Sequence, residues 1–139
     1  MSKVAVIYWS GTGNTEAMAN AAAEGAKAAG ADVSLLTCAE VSGVSAYDAV
    51  ALGCPAMGAE ELEESEFLPM LEGIEPALPG KKVALFGSYG WGDGEWMRTW
   101  EARCAEKGIT LAEKSVLANE APDDDALAAC KALGEVLAN

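Results

Sequence analysis

Residues 10–15, with the sequence SGTGNT, combine glycines with hydroxyl and amide side chains directly behind an apolar run. Glycines let the backbone turn so that several N–H groups point at one place, and a helix that begins here adds its N-terminal dipole. The side-chain donors are those of Ser10, Thr12, Asn14 and Thr15. Because the segment holds no lysine or arginine, it predicts an anion site built from neutral donors. A capped turn that binds nothing is the alternative.

The positions of the glycines in this loop limit which anions it can bind. The phosphate loop of nucleotide hydrolases requires a Gly-Lys pair, which is missing here. A dinucleotide-binding loop requires G-x-G-x-x-G, and after Gly11 and Gly13 the third glycine position holds Glu16. A terminal phosphate monoester remains, which such a loop would hold without transferring it.

Two further loops carry large apolar side chains between or beside glycines. Residues 54–66 (CPAMGAEELEESE) contain Met57 next to Gly58 and then five glutamates, and residues 88–94 (SYGWGDG) contain Trp91. Either side chain alone is more often part of a core. Loop tips flanked by glycine pack poorly into a core, however, so two of them beside a phosphate loop predict a flat ring held between them.

Predicted strands and helices alternate along the chain. The strands are expected at residues 3–9, 32–37, 49–54, 82–88 and 109–117. The helices are expected at residues 14–29, 63–71, 95–107 and 123–137. This alternation predicts one α/β domain over residues 1–139, with a parallel sheet. Ligands of such sheets bind outside the carboxyl ends of the strands, where the three loops should meet.

Composition limits the possible partners. The chain has 139 residues, 51% of them hydrophobic, and a net charge of −13, which argues against nucleic acid and anionic membranes. The charge fits either simple solubility or an acidic face for docking a basic protein. No apolar run approaches the ~18 residues of a membrane span and no secretion signal begins the chain, so a cytoplasmic location is expected. Four scattered cysteines without histidine predict buried reduced thiols rather than a metal site.

Three stretches together resemble one protein family. They are YWSGTGNTE, then AMG followed by ELEESEF, then KKVALFGSYGWGDG with WMR, in this order and over essentially the whole chain. On these motifs the chain resembles flavodoxins, specifically the short-chain type of clostridia and related anaerobes. The resemblance implies a flavodoxin-like three-layer sandwich, with a five-stranded parallel sheet in the order 2-1-3-4-5 and helices on both faces. Flavodoxin itself is the type example of that order, which the sequence pattern alone does not give.

The resemblance also implies a cofactor, non-covalent FMN, with its phosphate in residues 10–15. The isoalloxazine ring would lie between Met57 and Trp91, Glu60 would accept a hydrogen bond from flavin N3–H, and the backbone of residues 88–90 would meet the pyrimidine edge. Asn119 is expected at the periphery. The full set of expected cofactor-binding residues is Ser10, Gly11, Thr12, Gly13, Asn14, Thr15, Pro55, Ala56, Met57, Gly58, Ala59, Glu60, Ser88, Tyr89, Gly90, Trp91, Gly92, Asp93 and Asn119.

Two positions depart from the pattern expected of the family. Pro55 replaces a serine or threonine and so removes one hydroxyl that could meet the phosphate. Ala59 follows Gly58 at a turn position where aspartate, asparagine or glycine is easier to accommodate. Neither change removes the expected cofactor, but Ala59 bears on the redox energetics.

The function implied is that of a low-potential one-electron carrier and not of an enzyme. The flavoprotein would carry electrons between redox proteins with basic docking surfaces, such as reductases or oxidoreductases of anaerobic metabolism, and is expected to be a monomer. One alternative is a small FMN-dependent NAD(P)H:quinone or flavin reductase. Another is a flavin-free signalling domain of the receiver type, which needs an acidic cluster where this chain has SGTG.

Overall fold

A computed structural model describes residues 2–58, 61–90 and 92–139. Strands and helices alternate as the sequence predicts, except that the second and third strands are connected by a short 3-10 helix at Cys38–Glu40 instead of an α-helix. The strands are β1 (Lys3–Tyr8), β2 (Asp32–Thr37), β3 (Ala49–Gly53), β4 (Lys82–Tyr89) and β5 (Val116–Asn119). The helices are α1 (Asn14–Ala28), α2 (Phe67–Ile74), α3 (Glu95–Glu106) and α4 (Asp124–Ala138). Among the described helices, none combines the length and the apolar character needed to cross a bilayer.

The five strands form one sheet in the order β2-β1-β3-β4-β5, and every neighbouring pair is parallel. The expected fold class and strand order are therefore confirmed. One face of the sheet packs against α1 and α4, and the other packs against α2 and α3. Burial on both faces explains why β1 and β3 are continuous apolar runs rather than alternating ones.

Two predicted elements lie elsewhere than expected. The helix predicted at residues 63–71 is α2 (Phe67–Ile74), because Pro69 fits only the first turn of a helix, where its missing N–H is not needed. The strand predicted at residues 109–117 is β5 (Val116–Asn119). Before it, a single bridge between Leu111 and Val83 is the contact with β4, and the charged residues 113–114 interrupt the strand pattern.

Helices α1 and α4 approach each other through glycine. An ideal Cβ placed on Gly134 would lie 2.0 Å from the Ala22 carbonyl oxygen, and one on Gly25 would lie 1.9 Å from the Lys131 carbonyl oxygen. Real Cβ atoms do not come this close to a carbonyl oxygen, so the contact requires glycine on each helix. This packing fixes α1, whose N-terminus is the end of the predicted anion loop.

Gly134→Ala should lower the free energy of unfolding by about 1–3 kcal/mol, because the new methyl group forces the two helix backbones apart. Gly73→Ala is the matched control, since Gly73 lies in α2 and a Cβ placed on it would meet no atom within 4 Å. At that exposed helical site alanine should stabilise by about 0.5–1 kcal/mol. Urea unfolding of both variants measures the difference, and equal changes in stability at the two sites would contradict the packing.

Candidate cofactor site

A cleft of about 540 Å³ lies at the carboxyl ends of β1, β3 and β4. All three predicted loops contribute to its wall. The residues that line it are Trp9, Gly11, Thr12, Asn14, Pro55, Ala56, Met57, Ser88, Tyr89, Gly90 and Glu120. Grooves of about 630 and 620 Å³ occur between β5 and α4 and between α2 and α3. The α4 N-terminus at the first groove is already capped by the Asp123 carboxylate, and neither groove is lined by the carboxyl ends of several strands, so the cleft is the candidate site.

The anion loop leads directly into α1. Gly13 is the N-cap residue of the helix with φ of 94°, a left-handed conformation that glycine adopts without Cβ strain. No side-chain hydrogen bond caps this helix within the described residues, so its first amides are open to an external acceptor. The Ser10 hydroxyl accepts a hydrogen bond from the Gly13 N–H at 3.0 Å, which leaves its own proton free to donate. The loop fits an anion.

A buried pair of hydroxyl groups joins the anion loop to β4. Thr15 Oγ1 and Ser88 Oγ lie 3.0 Å apart, and either can be the donor. Thr15 is 1% exposed and Ser88 4% exposed, so the pair is shielded from bulk water. One hydroxyl proton is used within the pair and the other remains available to a ligand. The link fixes the position of the predicted anion loop relative to the end of β4.

The loop after β3 is a small hairpin that carries Met57. Two backbone hydrogen bonds, of 2.8 and 2.9 Å, join Met57 and Glu61 in both directions. Met57 is 38% exposed, which is unusual for a large apolar side chain. Gly58 follows it with φ of 51°. The hairpin therefore presents an apolar surface at the rim of the cleft, where a flat ring can cover it.

Trp96 lies behind the part of the cleft wall that Ala56 and Tyr89 form, and it joins the ends of β3 and β4. Its indole N–H donates to the Cys54 carbonyl oxygen at 3.1 Å, and its ring lies 5.4 Å from that of Tyr89. The Ala56 N–H donates to the Ser88 carbonyl oxygen at 2.9 Å. Trp96 is only 1% exposed, so it acts as a rigid support for the wall that Ala56 and Tyr89 form.

Glu63 holds the chain between the Met57 hairpin and α2. Its carboxylate accepts hydrogen bonds from the N–H groups of Ser65, Glu66 and Phe67 at 2.9, 2.7 and 2.8 Å. Burial alone would raise the pKa of Glu63, but these three donors outweigh it, and the pKa lies below its usual value. Glu63 therefore remains ionised in a position that is 7% exposed.

Arg98 anchors the glycine-rich loop after β4. Its guanidinium donates to the Asp93 carboxylate at 2.9 Å and to the Asp93 backbone carbonyl at 3.1 Å. It also donates to the Glu95 carboxylate at 2.8 Å. The Arg98 side chain is 54% exposed, so its ion pairs add little net stability. Its planar guanidinium nevertheless connects Asp93 to Glu95 and so fixes the loop relative to α3.

A second groove of about 420 Å³ borders the anion loop on the side of β2. There the Tyr8 hydroxyl donates to Glu16 at 3.1 Å, and the Trp9 indole N–H donates to Glu66 at 3.1 Å. Burial and the bond to Glu16 raise the pKa of Tyr8. Within the described residues no lysine or arginine lines this groove or the cleft. Any anion bound here is held by dipoles and hydroxyls alone.

The predicted site residues fall into five groups. Gly11, Thr12, Asn14, Pro55, Ala56, Met57, Ser88, Tyr89 and Gly90 line the cleft. Ser10 and Gly13 line the adjacent groove, and Thr15 lies behind the wall. Gly58, Gly92, Asp93 and Asn119 are close in sequence to the lining without being part of it. Ala59, Glu60 and Trp91 lie outside the described residues, so their expected roles stay predictions.

Sequence reasoning missed Trp9 and Glu120 as lining residues. Trp9 directly follows β1, and this position at a strand end was the signal that could have identified it. Glu120 likewise directly follows β5, but the strand was predicted to end at residue 117, so its position at a strand end was not recognised. The four cysteines are buried free thiols, as expected. Burial raises the pKa of Cys54 to about 12, so this thiol behind the cleft stays protonated at neutral pH.

Comparisons with known proteins agree on one family. The sequence profile described as Flavodoxin matches residues 6–134. The flavodoxin of Megasphaera elsdenii is 50% identical over 137 residues, 97% of this chain and 98% of that one. The flavodoxin of Clostridium beijerinckii is 46% identical over 136 residues, 96% and 98% of the two chains. The solution structure of two-electron reduced Megasphaera elsdenii flavodoxin superposes with a TM-score of 0.87 at 49% identity, covering 97% of this chain and 98% of that one.

Glu63→Gln should lower the free energy of unfolding at pH 7 by about 1–2 kcal/mol, because an amide group cannot accept all three N–H donors. The folded-state pKa of Glu63 lies below the unfolded value of about 4.3. Its stabilisation is therefore complete above that value and is lost as the pH falls through the lowered pKa.

Urea unfolding from pH 7 to pH 3 tests this expectation, with Glu72→Gln on the exposed side of α2 as the control. The loss of unfolding free energy caused by Glu63→Gln should become smaller below pH ~4. A deficit that stays constant with pH, or one that Glu72→Gln reproduces, would show that the three hydrogen bonds do not depend on the charge.

Proposed function

Because this chain belongs to the flavodoxin family, we propose that it carries single electrons at low potential between redox proteins. FMN is the cofactor of the family, and when bound it supplies the redox chemistry. The observation that carries the proposal is the cleft at the carboxyl edge of the sheet, which has a helix N-terminus at one end, Met57 at the other, and no lysine or arginine among its described lining residues. The residues of the chain bind, orient and shield the cofactor.

The phosphate of FMN is assigned to residues 10–15. The amides at the start of α1 and the free protons of Ser10 and of the Thr15–Ser88 pair supply the donors. A phosphate is a strong acceptor, and each charge-assisted hydrogen bond contributes about 1.5–3 kcal/mol. Several such bonds outweigh the absence of a lysine.

The ring of FMN is assigned to the space between Met57 and the loop after β4. Met57 covers one face, and the backbone of Ser88 to Gly90 lies at the edge of the cleft where hydrogen-bond donors and acceptors are needed. Trp91 is assigned to the other face and Glu60 to flavin N3–H on the strength of the family resemblance. The apolar surroundings exclude water from the ring, and the exposed Met57 hairpin leaves one rim accessible to a partner.

The low potential is inferred from charge. Glu16, Glu66 and Glu120 border the cleft or the adjacent groove, and the whole chain has a net charge of −13. A carboxylate about 8 Å away at an effective dielectric constant of about 40 opposes added negative charge by about 1 kcal/mol. Since ~59 mV corresponds to ~1.4 kcal/mol for one electron, several carboxylates lower the potential by on the order of 100 mV.

The first test compares cofactors that differ only in the phosphate. Apoprotein should bind riboflavin at least ~100-fold more weakly than FMN, because ~2.7 kcal/mol or more depends on the loop donors. Gly13→Ala should weaken FMN binding and leave riboflavin binding unchanged, since it strains a left-handed position with no steric clash. Equilibrium dialysis measures both affinities.

Gly30→Ala is the matched control for this variant. Gly30 has φ of 96° and open space where a Cβ would lie, as Gly13 has, but it lies beyond the other end of α1. It should reproduce the loss of stability without the loss of FMN affinity. Comparable affinities of the wild-type protein for FMN and riboflavin would rule out the assignment of residues 10–15 to the phosphate.

The second test concerns docking. We expect the reduced protein to transfer electrons to a basic c-type cytochrome more slowly as salt rises from 0.1 to 1 M, because the Debye length falls from ~10 to ~3 Å. Removing the charges of Glu61 and Glu64 together, as glutamines, should lower the rate at 0.1 M and flatten the salt dependence. Asp32→Asn, at the start of β2 and the opposite edge of the sheet, should do neither. Stopped-flow rates that do not depend on salt would exclude this docking surface.

A further inference from the structure

Trp9 lies between the cleft and the groove beside it and lines both of them. Its backbone N–H donates to the Gly53 carbonyl oxygen at 3.0 Å, which continues the pairing of β1 with β3 beyond the end of β1. Its indole packs against Gly11, since an ideal Cβ placed on Gly11 would lie 3.0 Å from the ring atom Cη2 and 3.3 Å from Cζ3. The orientation of the indole therefore limits where the Gly11 backbone can lie.

The other end of the indole is held by Glu66. The indole N–H donates to the Glu66 carboxylate at 3.1 Å, across a separation of 57 residues in the chain. Glu66 is the N-cap residue of α2, and its own N–H donates to the Glu63 carboxylate at 2.7 Å. The acceptor of the indole thus belongs to a segment that is itself fixed by hydrogen bonds.

The Glu66 carboxylate is placed unfavourably for the attraction of an anion. It lines the groove beside residues 10–13 but not the cleft, and a negative charge there opposes the binding of a phosphate. Within the described residues its side chain does not cap α2, and the partner that the structure shows for it is the Trp9 indole N–H. The position of this carboxylate is therefore explained by the hydrogen bond and not by its charge.

We propose that Glu66 is a positioning residue for the anion loop. By holding the Trp9 indole against Gly11, it keeps the amides of residues 10–15 in the geometry that binds the FMN phosphate. The inference rests on the proposed function and adds a residue outside the cleft that acts through another side chain. Neutral donors bind an anion well only near their optimal distances and angles, so a small shift of this loop weakens phosphate binding.

Two substitutions at one position separate the hydrogen bond from the charge. Glu66→Ala removes the acceptor, whereas Glu66→Gln keeps an acceptor and removes the charge. In equilibrium dialysis of the apoproteins, Glu66→Ala should bind FMN about fivefold more weakly, which equals about 1 kcal/mol, and riboflavin as tightly as the wild-type protein does. Glu66→Gln should bind FMN at least as tightly as the wild-type protein, because the indole keeps its partner and the phosphate loses a repelling charge.

Glu72→Ala is the matched control, since it removes a carboxylate from the exposed side of the same helix. It should change neither affinity. Trp9→Phe removes the indole N–H and keeps an aromatic ring beside Gly11. The losses of FMN affinity in Glu66→Ala and Trp9→Phe should not add in the double variant, because both substitutions break the same hydrogen bond.

An equal loss for FMN and riboflavin in Glu66→Ala would show that Glu66 supports the fold alone, for example through the α2 dipole, and would overturn the proposal. An unchanged or raised FMN affinity in Glu66→Ala would do the same, because the carboxylate would then act through its charge. Additive losses in the double variant would exclude the coupling to Trp9. Each of these results leaves the preference of the wild-type protein for FMN over riboflavin intact, whereas failure of the proposed phosphate site would abolish that preference.

Discussion

Under the proposed function, the cleft must hold an anion in a chain of net charge −13, and within its described wall no lysine or arginine supplies attraction. Neutral donors act only at short range, because a hydrogen bond weakens steeply once its distance and angle depart from their optimum. A lysine would tolerate a looser loop, since a full charge still acts over several ångströms. The absence of a cation therefore makes rigidity of the anion loop the condition on which the site depends.

The structure meets this condition through hydrogen bonds that connect the described walls of the cleft to one another. The Thr15–Ser88 hydroxyl pair joins the anion loop to β4, and the Ala56 N–H joins the Met57 loop to the same strand. Trp96 fills the space behind these walls and donates to the Cys54 carbonyl oxygen. Farther out, Glu63 fixes the approach to α2 through three amides. A binding site gains precision when the supporting side chains are themselves buried and hydrogen-bonded.

Much of this arrangement can be predicted from the sequence, because the periodicity of apolar residues and the positions of glycines are local properties of each segment. The alternation of apolar strands with helices predicted the class, and the position of each loop after a strand predicted that the loops would meet.

The features that the sequence did not predict depend on contacts between residues that are distant in the chain. Strand order depends on packing between distant segments, and the pattern of residues 109–117 does not reveal that only the end of it pairs with β4. Among the five glutamates of residues 54–66, nothing local distinguishes the buried Glu63 from Glu61, Glu64 and Glu66, which are exposed.

Under the proposed function, the lack of a cation in residues 10–15 and the presence of carboxylates beside the cleft both act on the potential through their electric field. The attraction of a few backbone dipoles falls off faster with distance than that of a full charge, so the donors of residues 10–15 hold a phosphate without projecting much positive potential onto the ring. A lysine in the loop would bind the phosphate as well, but its field would also favour added negative charge on the ring and would raise the potential. Carboxylates such as Glu66 and Glu120 act in the opposite direction. An anion site made of neutral groups thus favours a low potential. Such a site also needs a rigid loop, which the hydrogen bonds between the described walls provide.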